Sequence, residues 1–193
     1  ATALDTRRVS VRSGENAFAN MLVDAMREAT GADIAITNGG GIRADRTYEP
    51  GTVLSRRDIL SELPFGNKTV LIEVSGADVI AALENGVSGV EKGSGRFPHV
   101  SGLTFTFDPA KPAGGRVAGT KVAGKALDPD GRYTLATNDF MGRGGDGYRM
   151  FAMARRIIDA NAGALMASQL IQAIEQAGEV SPVVEGRITE AGK

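Results

Sequence analysis

The chain contains no cysteine and no tryptophan, a single histidine, and only 5% aromatic residues among its 193 positions. Without cysteine it can form neither a disulfide nor a thiolate metal site, and its redox compartment is left open. His99 alone cannot build a di-metal phosphatase centre, which needs several imidazoles and carboxylates around two cations. No His-x-x-His or Glu-x-x-His pair is present, and carboxylate-only magnesium binding has no motif behind it. The chain is therefore expected to bind no metal or cofactor and to lack catalytic machinery of its own. An excess of one charge is also missing, since 22 Lys plus Arg face 23 Asp plus Glu for a formal net charge of −1. Such a balance provides no global field to attract nucleic acid or anionic lipid, so partners must be recognised at local sites. No apolar run approaches the ~20 residues of a membrane span. No basic-then-apolar leader opens the chain, so any export signal is expected to have been removed or to lie upstream.

What the chain has in quantity is glycine, 26 residues, concentrated in a few loops. Asn38-Gly39-Gly40-Gly41-Ile42-Arg43 and Asn138-Asp139-Phe140-Met141-Gly142-Arg143-Gly144-Gly145-Asp146-Gly147-Tyr148 each follow a short β-like run. Leu63-Pro64-Phe65-Gly66-Asn67 sets a further aromatic beside a glycine. Glycine permits positive φ and close approach to the main chain, so Gly40 and Gly145 are expected to need one or the other, and Gly93 neither. In a chain this poor in aromatics, Phe65 and Phe140 beside glycine either offer open ring faces for a base or are ordinary core residues. Asp146 can accept a pair of hydrogen bonds from ribose hydroxyls, or bond its own backbone in a turn. Asn67 can pair with a base edge, and asparagine after glycine is equally a turn former. Arg12 and Arg43 are planar cations suited to phosphate oxygens, whereas most other arginines read as solvated surface groups. His99 reads as a structural or surface residue. The first glycine loop is neither G-x-G-x-x-G nor a P-loop, since no Gly-Lys-Ser/Thr follows and no helix opens after it.

The rest of the chain, free of repeats and heptads, punctuates itself into one domain's worth of elements. Residues 1–11 are expected to be a linker edge or a first strand, and residues 12–193 a single domain. Ser13 with Glu15 marks a helix start; Phe18, Met21, Leu22, Ala25, Met26 and Ala29 keep helical spacing to a stop at Gly31. Asp33–Thr37 reads as a buried strand, and 48–51 as a turn. Ser55/Asp58 and Ser75/Asp78 are capping boxes opening helices that run to about Leu63 and Glu84. Thr69–Val74, Leu103–Phe107 and Tyr133–Thr137 read as strands, Val117–Leu127 as a hairpin turning at Gly124, and 86–98 as a loop. Met166, Leu170, Ala173, Ile174 and Ala177 mark a last helix. Hairpins mixed with interspersed helices favour an α+β fold with a mixed sheet.

Taken together, Arg12–Asn16, Asn38–Arg43, Pro64–Asn67, Val100–Leu103, Thr137–Tyr148 and Glu185–Ile188 resemble, in order and over nearly the whole chain, the C-terminal domain of the 5'-nucleotidase and UDP-sugar hydrolase family. That resemblance implies a substrate-specificity domain in which Phe65 and Phe140 sandwich the base and Asp146 contacts the ribose. It further implies that Arg12, Asn38 and Arg43 touch the phosphate or ribose. It also implies an N-terminal metallophosphatase domain, not encoded here, that holds two divalent metals and a His-Asp pair, a periplasmic or extracellular location, and domain rotation during turnover. Two other readings stand beside it: a stand-alone nucleoside- or nucleotide-binding module, and a relative acting on another phosphate ester or a sulfur compound.

Overall fold

The computed structural model describes residues 3–192. Strand β1 (Leu4–Asp5) and the helical turn α1 (Arg8–Val11) open the chain, and both Leu4 and Val11 are buried. Helix α2 (Ala17–Thr30) follows, ended by Gly31 in the left-handed conformation at φ 64°. Its cap is Asn16, whose side chain accepts from the Ala19 amide, rather than Ser13. Glu15 lies outside the helix and instead accepts from the backbone amides of Glu185 and Ile188 and from Asn20. The expected start at Ser13 is thus moved three residues on, and Glu15 is drawn to the far end of the chain instead of the first turn.

Strand β2 (Ile34–Asn38) is buried at all five positions. A 3₁₀ turn at Gly39–Gly41 leads to β3 (Thr47–Tyr48), which pairs with β1. Helix α3 (Arg56–Glu62) and helix α4 (Gly76–Val87) both carry the expected capping boxes, with β4 (Thr69–Ser75) between them. Strand β5 (Pro98–Ser101), not expected from the sequence, begins at the last residue of the stretch read as a loop and takes His99 into the interior. Strands β6 (Leu103–Phe107), β7 (Val117–Val122) and β8 (Lys125–Ala126) then form a meander. Strand β9 (Arg132–Asn138) precedes two helical turns, α5 (Asp139–Gly142) and α6 (Arg149–Ala152), so Phe140 sits on a one-turn helix and not in a loop. Strand β10 (Arg155–Ile158), helix α7 (Met166–Ala177) and β11 (Ile188–Glu190) complete the chain.

The main sheet runs β10-β4-β9-β2-β5, with β9 and β2 parallel and the other neighbours antiparallel. A second sheet, β11-β6-β7-β8, has β11 parallel to β6. The fold is thus α+β with mixed sheets and interspersed helices. Alternate residues explain how the main sheet is covered on both faces. Ile34, Ile36, Ile72 and Leu135 join Val79, Leu83 and Val87 of α4 and the phenylalanines of β6 in the largest core cluster. Ala35, Leu71 and Ala136, on the opposite face, meet Val23 of α2. A further cluster ties α2 to α3 and α7 through Phe18, Leu22, Ile59 and Leu170.

Candidate functional site

Strand register brings four loops to one end of the main sheet's strands. Because β2 and β9 are parallel, Asn38 and Asn138 end side by side, and each hands its glycine loop to the same place. Strand β4 starts opposite the end of β9, with Thr69 paired to Asn138, which sets Phe65-Gly66-Asn67 beside them. Strand β5 starts opposite the end of β2, with Pro98 paired to Asn38, which adds Gly95. The result is a cleft of ≈ 500 Å³ lined by Arg12, Asn38, Arg43, Phe65, Asn67, Phe140 and Asp146, joined by Gly40, Gly41, Gly66, Gly95, Asp139 and Arg143. That volume suits a nucleoside-sized ligand. All seven residues singled out in the sequence therefore meet in one place.

A buried amide network fixes the cleft's floor. Asn138, 1% exposed, donates through Nδ2 to Thr37 Oγ1 and to Asn38 Oδ1, both at 3.0 Å, and accepts from the Met141 amide at 2.7 Å. Asn38 in turn donates to Asp146 Oδ2 at 2.7 Å. Asp146 is held at φ 53°, a left-handed conformation uncommon for a residue with a side chain, and its carbonyl accepts from Asn85. Backbone strain of this kind persists only where the surroundings over-determine it. One carboxylate oxygen engages Asn38, and the carboxylate lines the cleft. Asn138 was not anticipated, and nothing in its local sequence distinguishes it from an ordinary cap of α5, which it also is.

The two aromatic rings are among the exposed large hydrophobics, Phe65 at 61% and Phe140 at 41%. Neither is a core residue. Phe140 lies over the bare backbone of Gly145, where an added Cβ would come within 2.5 Å of its ring. The Arg43 guanidinium stands over the Phe65 ring, 5.4 Å from its centroid. Neither Gly40 nor Gly145 has positive φ, contrary to one form of the expectation; left-handed backbone falls on Gly144 (91°), Asp146 (53°), Gly147 (86°) and Gly93 (58°). Gly40 is needed for close approach all the same, since a Cβ there would lie 2.9 Å from the Gly95 carbonyl oxygen that accepts from its amide. In both loops the close approach is to the protein itself.

At the cationic end, Arg12 Nη1 donates to the Gly93 carbonyl at 3.3 Å while its buried Nε has no partner among the described residues. Burial, then the charges of Arg8 and Arg43, hold the Arg12 guanidinium below its usual pKa, with Asp146 pulling the other way. An anion placed between Arg12 and Arg43 would relieve that repulsion. Behind Phe65 lies an adjoining cavity of ≈ 270 Å³, shared at Asn38, Gly41 and Phe65-Gly66-Asn67 but otherwise walled mainly by Leu22, Leu60, Leu63, Leu165 and Met166. No charged side chain lines it, so an anionic group belongs in the first cleft.

His99 is fully buried in β5, where Nε2 donates to the Val11 carbonyl at 2.8 Å and burial pushes its pKa down to about 4. It is a structural residue. Among the described residues no group of three or more His, Cys, Asp or Glu side chains is placed to hold a metal ion. No helix among them is long and apolar enough to cross a membrane.

Residues 1–153 match the family model described as the 5'-nucleotidase C-terminal domain. The trifunctional nucleotide phosphoesterase protein YfkN of Bacillus subtilis is 39% identical over 97% of this chain, which spans 13% of that protein. Protein UshA of Escherichia coli is 34% identical over 75% of this chain, and the match spans 25% of UshA. Among solved structures, a 5'-nucleotidase precursor from Thermus thermophilus aligns over the whole chain with a TM-score of 0.90 and 34% identity, using 38% of its own length. NAD nucleotidase from Haemophilus influenzae shares the fold with a TM-score of 0.83 at 20% identity. The chain thus covers a minor part of each of these proteins, and by sequence and fold it belongs to the 5'-nucleotidase C-terminal domain family.

Proposed function

We propose that this chain is the substrate-specificity domain of a 5'-nucleotidase-like hydrolase that removes phosphate from nucleotides. Residues 12–193 form the domain and residues 1–11 its edge toward a catalytic domain. Phe65 and Phe140 stack on the base, Asp146 accepts from the ribose hydroxyls, and Asn38 holds that carboxylate in place. Arg12 and Arg43 face the phosphate side. Asn67 meets the base edge. The observation that carries this reading is the convergence of all seven on one cleft with two exposed rings, a preset carboxylate and two arginines. A metallophosphatase partner domain with two divalent ions supplies the hydrolytic chemistry, and the enzyme works in the periplasm or outside the cell. What this chain contributes is orientation: stacking fixes the base, and the arginines leave the phosphorus-bearing end presented outward.

Stacking of ~1–3 kcal/mol per ring, offset by immobilisation of the ligand, gives weak binding to the chain alone, in the high-micromolar to millimolar range for adenosine or AMP. Calorimetry or ligand-observed NMR tests it. Phe65→Ala or Phe140→Ala abolishes detectable binding of both ligands, and Arg43→Ala weakens AMP more than adenosine. Absence of binding at several millimolar, or a double Phe→Ala variant that binds as well as the parent, refutes the reading.

A further inference from the structure

The cleft has two chemically distinct ends. Asp146, Asn38 and Arg12 cluster around Gly95: a Cβ built there would lie 3.7 Å from Asp146 Oδ2 and 3.8 Å from Arg12 Cζ. The other end is built by Asp139, whose amide donates to the Lys68 carbonyl at 2.9 Å and whose Oδ1 accepts from the Lys68 amide at 3.1 Å, directly after Asn67. Its second oxygen accepts from Arg143 Nη1 at 2.8 Å across one turn of α5. Phe140 stands on the same turn, between Asp139 and Arg143.

Both oxygens of Asp139 are thereby occupied, while among the described residues only one of the five guanidinium N–H donors of Arg143 is engaged. The Arg143 side chain is 65% exposed and lines the cleft. Ordinary i,i+4 pairs on exposed helix surfaces contribute little to stability. This pair differs in sitting beside an open aromatic ring, with its carboxylate pinning the cation's orientation. On the reading of the cleft as a nucleoside site, with the base on Phe140 and the ribose at Asp146, Asn67 and Arg143 are the remaining polar side chains of the lining near Asp139 that the edge opposite the glycosidic bond can meet. For a purine that edge carries the C6 substituent, with N7 beside it.

We infer that Arg143 selects 6-oxopurine nucleotides, those of guanine and hypoxanthine, over adenine nucleotides; this rests on the reading of the cleft as a nucleoside site. Arginine carries donors and no acceptor, and its planar fork matches the O6 and N7 acceptors of a 6-oxopurine in a two-pronged way. Adenine presents an amino group at the same position, so donor faces donor. Solvent access keeps the preference at the lower end of what such a contact provides, roughly tenfold.

Inosine and adenosine differ at position 6 and test this directly. With the 193-residue chain, calorimetric titration is expected to show inosine binding about tenfold more tightly than adenosine. Arg143→Ala brings that ratio close to one, and Arg143→Lys, a cation without the fork, keeps part of it. A role confined to stabilising α5 would weaken both ligands equally and leave the ratio where it was. Equal affinities in the parent chain, or an unchanged ratio in Arg143→Ala, overturn the inference while leaving nucleoside binding intact. Failure of either nucleoside to bind the parent chain overturns it together with the reading on which it rests.

Discussion

Replacing Glu62 tests how the loop that carries Arg43 is held. Glu62 ends α3 and is completely buried, yet among the described residues no cation pairs with its carboxylate. Three neutral donors hold it: Thr6 Oγ1 at 2.8 Å, the Tyr48 hydroxyl at 2.8 Å and the Ala44 amide at 3.1 Å. Its own carbonyl accepts from the Arg43 amide at 2.9 Å. Burial, and then the bond to Glu62, push the Tyr48 phenol up in pKa, so it remains a donor. One side chain thus ties β1, β3 and α3 to the strip that carries Arg43.

Glu62→Ala leaves the Tyr48 hydroxyl and the Ala44 amide without an acceptor, while Thr6 keeps the Arg46 carbonyl at 2.9 Å; at about 1–3 kcal/mol for each lost partner, partly offset by release of a buried charge from its desolvation, a net loss of ~2–4 kcal/mol follows. Glu62→Gln keeps the shape and one acceptor oxygen, which can serve Thr6 and Tyr48, but turns an N–H toward the Ala44 amide. One unsatisfied pair costs about 1–3 kcal/mol. For a chain of this size 1 kcal/mol lowers Tm by roughly 2–4 °C, so the glutamine variant should melt about 4–8 °C below the parent and the alanine variant further still. Because Arg43 lies on the affected strip, Glu62→Gln should also narrow the difference between AMP and adenosine affinity. Thermal melts and calorimetry check both expectations. A glutamine variant that melts within about 1 °C of the parent would refute the assignment of Glu62 as the anchor of that segment.

His99 sets a pH dependence of stability. Its folded pKa of about 4 lies below the unfolded value of 6.5, so between these limits the unfolded chain binds a proton that the folded chain refuses. Stability is therefore full above about pH 6.5 and declines as pH falls toward 4, by about 3 kcal/mol at 1.36 kcal/mol per pH unit. Urea titrations across this range should show that slope, and its persistence in His99→Gln would remove histidine as the cause. Gly145→Ala places a methyl 2.5 Å from the Phe140 ring, a side chain that can yield, so nucleoside affinity should fall about tenfold with little change in Tm. Gly93→Ala meets nothing within 4 Å but sits at φ 58°, so it should cost ~1 kcal/mol of stability with a smaller effect on affinity; variants that behave alike would contradict this division. Incubated with AMP and added Mn²⁺, the chain should release phosphate no faster than buffer. Metal-dependent release that tracks the protein through gel filtration would overturn the placement of catalysis in another domain.

Features stabilised by near neighbours were legible in the sequence. The capping boxes at Ser55/Asp58 and Ser75/Asp78 need only residues three apart. The Gly31 stop, the β6 alternation, the turn at Ala123-Gly124 and the spacing of Met166, Leu170, Ile174 and Ala177 are equally local. The site residues were named through the family resemblance, because the local sequence left Phe65 and Phe140 open between core and ligand face. Strands β5, β10 and β11 escaped because each is short and exists only by pairing with a strand distant in the chain, as Ile188 does with Phe105. The start of α2 was read at Ser13 and lies at Asn16, because Glu15 accepts from the distant amides of Glu185 and Ile188 instead of joining the first turn. The sequence by itself determined the elements held by near neighbours and the chemical groups available. Tertiary structure decided that they form a site, because the register of β2, β9, β4 and β5 delivers four separate loops to one end of the main sheet's strands. That register is set by burying Ile34, Ile36, Ile72 and Leu135 on the same face, a constraint that no local stretch of the chain contains.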